Sequence, residues 1–284
     1  MRVGIVVPMT TEARTLFEMR EFPVRRKLGI WEVHEHQEGD KTLGLMVGGI
    51  GMVNAAMSTQ AMISEWKPDM VAMVGCAGGL VEDLLPGDVL IGKTLCCYSS
   101  YSTADDGSVN PDILGIRVGT DYTLSEDRTD FATASRTKQR YIHSTPWLVE
   151  AALSAGEECR DAFHVWPEEI VKQYTTSKFG QRAPRCSAGV IGTADQINSS
   201  LKRIAEIREI WGMDAEECEG VAFGQVALSH KKPFIVIRGI SDNEVVDPFL
   251  SEFLRSNRSG LDNVEIESTR NAWLVFLAML RKLQ

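Results

Sequence analysis

Several things are missing from this sequence, and each absence closes off a class of function. No run of about 18 uncharged apolar residues occurs, so no membrane-spanning helix is expected. Positive charge is in deficit: the formal net charge is -9. An acidic chain repels polyanions, so neither nucleic acid nor an anionic membrane surface is an expected partner. The one basic cluster, residues 20–27, reads as a solvated turn. No Cys-x-x-Cys pair is present. Cys76, Cys96, Cys97, Cys159, Cys186 and Cys218 read as free thiols in a reducing compartment. The apolar run at residues 3–8 is too short for a signal-peptide core, and a cytoplasmic location is expected. His34 and His36 alternate on an expected strand and read as surface residues rather than metal ligands; no metal or cofactor is expected. Neither Gly-x-Gly-x-x-Gly nor Gly-Lys-Ser/Thr occurs, which argues against a dinucleotide-dependent oxidoreductase.

What is present is an alternation of strands and helices. With 284 residues, the chain is long enough to bury a large core. Segments 2–8, 27–37, 41–48, 70–74, from 89, 186–191 and 233–240 read as strands. Segments 13–20, 52–66, 146–162, 201–211, from 220 and 264–283 have helical spacing. No repeat, low-complexity tract or linker interrupts them. The pattern predicts one α/β domain over 1–284 with a mostly parallel or mixed sheet. Residues 98–145, rich in Ser, Thr, Asp and Arg, read as an elaborated loop at an active-site rim or a subunit contact. Thr10 or Thr11 is expected to cap the first helix. Glu12 then either complements that helix's dipole or points into the crevice at the strand ends.

The chain is organised around residues 213–243. Glu216-Glu217-Cys218-Glu219 opens a helix of small residues. A Lys-Lys-Pro turn follows, and then a buried strand delivers Ser241, Asp242 and Asn243. Helix starts and strand ends are where α/β proteins place chemistry. Glu219 and Asp242 are therefore expected to meet over one ligand.

Motifs at the other strand ends extend this. They are Val-Pro-Met-Thr-Thr-Glu at 7–12, Gly-Gly-Ile-Gly-Met-Val-Asn-Ala-Ala at 48–56, Val-Gly-Cys-Ala-Gly-Gly-Leu at 74–80 and Pro-Gly-Asp-Val at 86–89. Thr-Ala-Asp-Gln at 193–196, Glu-Cys-Glu-Gly at 217–220 and Arg-Gly-Ile-Ser-Asp at 238–242 complete the set. In this order the chain resembles the purine-nucleoside/uridine phosphorylase superfamily, and most of all its 5'-methylthioadenosine/S-adenosylhomocysteine nucleosidase branch. The resemblance implies a three-layer α/β/α sandwich around a central mixed, partly barrel-like sheet, assembled as a homodimer. It implies hydrolysis of the N-glycosidic bond of a purine nucleoside without a cofactor. By the same resemblance Asp242 donates a proton to purine N7, with Ser241 positioning it. Glu219 binds the ribose hydroxyls, Glu217 supports the sugar edge and Glu12 activates the attacking water. Cys76, Ala77 and Gly78 lie on the substrate wall. Arg238 supports the strand end through an ion pair.

The chain departs from the branch at three places. Cys76 stands where Ser is usual, and a thiol is a weaker donor. Cys218 replaces a Met between the two acids. Ile197 takes the place of an aromatic ring in the base loop. These changes leave open which base and which 5' substituent are recognised. The phosphorylases of the superfamily surround phosphate with arginines. Here the N-terminal loop carries Glu12, and Met73 stands at the second arginine position, so hydrolysis is favoured. A phosphate-dependent phosphorylase, using Arg14 or an arginine from elsewhere, is the alternative. A nucleoside-binding protein without turnover is the second.

Overall fold

The computed structural model describes residues 1–111, 116, 140–166, 182–247 and 258–283. Much of the loop expected over 98–145 lies outside these residues, as do residues 167–181 and 248–257.

Strand β1 (Arg2–Val7) shows why its sequence reads as an unbroken apolar run. Val3, Ile5 and Val7 enter one core with Leu16, Trp273 and Phe276, while Val6 enters another with Met62, Trp66 and Met73. A strand covered on both faces has no polar side to show. Helix α1 (Thr10–Met19) follows, then β2 (Val24–Leu28), β3 (Trp31–Glu38) and β4 (Lys41–Val47). Helix α2 (Met52–Ala61) continues into one π-helical turn, Met62–Trp66. Next come β5 (Met70–Gly79), β6 (Val89–Cys97), the short pair β7 (Ser102–Thr103) and β8 (Val109–Asn110), β9 (Tyr141–His143) and α3 (Pro146–Glu158). The chain ends with β10 (Cys186–Thr193), α4 (Leu201–Trp211), β11 (Ala215–Glu217), α5 (Gly220–Ser229), β12 (Phe234–Asn243) and α6 (Arg258–Lys282).

The main sheet runs β11-β10-β6-β12-β5-β1-β4-β3-β2, with β9 paired to β6. It is mixed: β1 is parallel to β4 and β5, whereas β6 and β12 are antiparallel. β11 also pairs antiparallel with β5, through Gly79–Ala215 and Gly78–Glu216. That pairing closes β11, β10, β6, β12 and β5 into a ring, the barrel-like part of the sheet. Helices α1, α3 and α6 supply Leu16, Leu148, Ala152, Trp273 and Phe276 to the core on one face. Helices α2 and α5 supply Ala55, Phe223 and Ala227 to the other. The result is three layers, α/β/α, as the sequence led us to expect.

Local differences have simple causes. Thr10 and Thr11 lie inside α1 rather than at its cap. The Glu12 carboxylate reaches back to accept the Met9 N–H at 2.9 Å, so a capping hydroxyl is not needed there. Half of the expected basic turn at 20–27 is strand β2. Its Arg25, Arg26 and Lys27 are exposed on an edge strand, where charge discourages further pairing. The strand expected over 27–37 is accordingly two strands joined by a Gly29-Ile30 turn. The apolar residues Val53 and Met57 of α2 do not pack inward; they are 68 % and 45 % exposed. β11 is three residues long and carries two glutamates, so no strand periodicity marks it.

Candidate active site

From Phe234 to Ile240, β12 is apolar except at Arg238, whose side chain is fully buried. A buried guanidinium requires anions, and three reach it. Nη2 donates to Glu217 Oε2, and to Glu219 Oε2 at 3.1 Å; Nη1 lies 3.9 Å from Glu12 Oε1. Three carboxylates from β11, from the start of α5 and from α1 thus share one cation. Nε and Nη1 carry no hydrogen bond to the described residues.

Gly75 makes this junction possible. A Cβ at that position would sit 2.2 Å from Arg238 Nη1 and 2.5 Å from Glu12 Oε1. The strand therefore reaches the ion pair as bare backbone.

Each acid is also held by main-chain donors. Glu12 accepts the Cys76 N–H at 2.7 Å besides that of Met9. Glu219 accepts the Gly51 N–H at 2.9 Å. The Gly-rich turn at 48–51 thus points an amide at an acid of its own chain. Gly51 adopts φ +94°, which an L side chain rarely tolerates. Glu217 takes the N–H groups of Glu219 and Gly220 at 3.0 and 2.7 Å, together with the Thr193 hydroxyl. Those amides open α5, so the Glu217 carboxylate completes the helix's N-terminus. Its oxygens are engaged inside the protein, and any support it gives the sugar edge is indirect.

Burial dominates the protonation of this group. It pushes Glu12 up to about 7, against the pull of Arg238 and of the Cys76 and Met9 amides. Glu219 is pushed up to about 7 mainly by burial; Arg238 opposes this, while repulsion from Glu217 and Glu12 adds to it. Three carboxylates around one guanidinium cannot all ionise cheaply. The Cys76 thiol is held well above its usual range by burial and by Glu12.

At the other end of the site, Asp242 extends from β12 beside Gly78. Ser241 Oγ donates to Asp242 Oδ1 at 2.5 Å, which fixes the orientation of the carboxyl group. Glu216 lies near it, held by Tyr98 and by Asn198 of the loop after β10.

These residues line one cavity of about 340 Å³. All ten expected site residues are on its wall: Glu12, Cys76, Ala77, Gly78, Ile197, Glu217, Cys218, Glu219, Ser241 and Asp242. Pro8, Met9, Ile50, Gln196, Glu216 and Glu265 are there too, and the sequence reading did not single them out as site residues. Glu265 comes from α6 and accepts the Thr11 hydroxyl at 2.6 Å; nothing local in the sequence brings residues 11 and 265 together. Among the described residues, the wall carries no lysine or arginine. Arg14, the candidate phosphate ligand, pairs instead with Glu18 on the exposed face of α1.

Comparison with known proteins agrees with this fold. A 5'-methylthioadenosine/S-adenosylhomocysteine nucleosidase of Exiguobacterium sp. is 26% identical over 259 residues, which cover 90% of this chain and 92% of that protein. The enzyme of that name from Bacillus thuringiensis subsp. konkukian is 27% identical, with 89% and 93% covered. Among solved structures, futalosine hydrolase of Helicobacter pylori superposes with a TM-score of 0.72 at 20% identity, covering 99% of this chain and 98% of that one. The Neisseria meningitidis nucleosidase in complex with methylthio-immucillin-A gives 0.68 at 23% identity, covering 99% of both chains. Residues 2–261 match the sequence profile of the Phosphorylase superfamily, and with nearly the whole chain inside that match, the protein belongs to this superfamily.

Proposed function

We propose that the protein hydrolyses the N-glycosidic bond of a purine nucleoside, of the kind represented by 5'-methylthioadenosine and S-adenosylhomocysteine. One observation carries the reading. Glu12, Glu219 and Asp242, drawn from opposite ends of the chain, line a single cavity whose described wall has no cation to hold phosphate. The N-glycosidic bond breaks through a sugar with oxocarbenium character, which carboxylates stabilise. The purine leaves readily only when protonated. In this reading Asp242, oriented by the Ser241 hydroxyl, delivers that proton to N7. Glu219, fixed by Gly51 and Arg238, takes the ribose hydroxyls. Glu12 removes a proton from the attacking water.

The test is a panel of purine nucleosides with and without phosphate. Free base and free sugar are expected in phosphate-free buffer, at a rate phosphate leaves unchanged. Absolute dependence on phosphate would establish the phosphorylase instead. Tight binding with no base released from any member would establish the nucleoside-binding protein.

The pH dependence follows from Glu12. A base with a pKa of about 7 is mostly protonated at pH 5, so kcat/KM should be about 100-fold lower there than at pH 8. The sign for stability is opposite. Glu12 and Glu219 hold protons more tightly folded than unfolded, so their contribution is complete below about pH 4.5 and is lost as pH rises through about 7. A rate profile flat from pH 5 to 8 would remove Glu12 as the base.

The assembly we propose is a homodimer. Ile50, Val53 and Met57 expose 57 %, 68 % and 45 % of their surface, and Ile197 exposes 73 %. The Met52 N–H to Asp195 Oδ1 bond (2.9 Å) ties their two segments together into one apolar rim beside the cavity. Analytical ultracentrifugation should give twice the chain mass, and Val53→Glu should shift it toward the monomer. A monomeric wild type at micromolar concentration would refute the proposal.

A further inference from the structure

Glu216 is a carboxylate on the cavity wall that the chemistry above does not use. β11 turns Glu217 toward Arg238 and its neighbour Glu216 to the opposite side, into the cavity next to Gln196 and Ile197. The side chain is fixed. Oε2 accepts from Tyr98 Oη at 2.9 Å and from Asn198 Nδ2 at 2.5 Å. Among the described residues, Oε1 accepts only the Asn198 N–H, at 3.0 Å. A carboxylate oxygen has two lone pairs, so Oε1 retains one acceptor site at the cavity. Tyr98 is itself fully buried, which makes this a rigid acceptor rather than a surface acid. The location is the Asp242 end of the site: the Asp242 charge reaches Glu216 and, after burial, raises its carboxyl. With N7 at Asp242, the next atoms round the purine are the C6 substituent and N1.

We infer that Glu216 determines base specificity by accepting an N–H from the six-membered ring of the base, either a 6-amino group or a ring N1–H. A purine lacking both leaves that buried acceptor without a partner, and such sites discriminate strongly. The inference rests on the nucleosidase reading and names the base edge which that reading leaves open.

The experiment measures kcat/KM for adenosine, inosine and purine riboside, as parent nucleosides and as 5'-methylthio derivatives. Purine riboside carries neither donor. The wild type should favour adenosine or inosine over it by about 10- to 100-fold. N6,N6-dimethyladenosine and 1-methylinosine then identify the source, because only the series whose donor is blocked loses its advantage. In Glu216→Gln and Glu216→Val the preference over purine riboside should fall toward one. Loss of the loop alone would lower all rates together and leave the ratio in place. Calorimetric titration of the wild type and both variants with adenine, hypoxanthine and unsubstituted purine reads the same preference without turnover. Purine bound or cleaved as well as the donor-bearing bases, or a preference unchanged in both variants, would overturn the inference. If the wild type cleaves no nucleoside, the nucleosidase reading fails, and the titration still decides whether Glu216 reads the base.

Discussion

Asp242→Asn is expected to lower kcat by about 10²–10⁴-fold, with KM close to that of the wild type. The amide retains the shape of the side chain and can still accept the Ser241 hydroxyl, which reaches Oδ1 at 2.5 Å. It cannot supply a proton to the leaving base. The test that isolates this role uses a substrate whose leaving group needs none. A nitrophenyl riboside departs as a stable phenolate, so its hydrolysis should survive in Asp242→Asn while purine nucleosides are no longer turned over. Equal loss on both substrates would mean that Asp242 holds the sugar or the cavity in shape. Unchanged purine release would remove it from the mechanism.

Arg238→Met should cost about 3–5 kcal/mol of folding stability at pH 8, the range found when one partner of a buried ion pair is removed. The side chain is fully buried between Glu217, Glu219 and Glu12, and methionine matches its length without its charge. The remaining carboxylates can escape repulsion only by taking up protons. The loss should therefore shrink at pH 5, and the fall in stability with rising pH should be steeper than in the wild type. Urea unfolding at the two pH values measures both effects. A deficit below about 1 kcal/mol that does not change with pH would show that the three acids do not depend on Arg238.

The sequence made part of this site legible and hid the rest for physical reasons. Glu12, Glu219 and Asp242 stand just after long apolar runs or at the head of a helix, so the pattern brought them to strand ends and a helix start, and the resemblance singled them out. The two-sided burial of β1, β5 and β12 made the central strands equally plain. Local pattern did not separate Glu216 from Glu217; only the resemblance gave Glu217 a role. Which of two adjacent acids faces a cavity depends on the register of a three-residue strand, and that register is set by Gly78 and Gly79 on β5, far away in the chain. The closure of the ring rests on the same pairing and was hidden for the same reason. Glu265 was out of reach because its place on the wall depends on how α6 docks against α1. Helical spacing marked α2 but does not tell which apolar residues face the core, and Val53 and Met57 face outward.

Gly75 has a consequence for how such a chain can change over generations. Alanine there would meet Arg238 at 2.2 Å and Glu12 at 2.5 Å, so no single substitution at 75 is compatible with both partners in place. Replacing either partner first removes the proposed base or the cation that three acids share. A lineage selected for turnover is therefore confined to glycine at this position. A lineage released from that selection can lose residue 12 or 238 and only then fill position 75. In a distant relative, a side chain at the equivalent of Gly75 would mark the order of events: the chemistry was given up before the space was occupied.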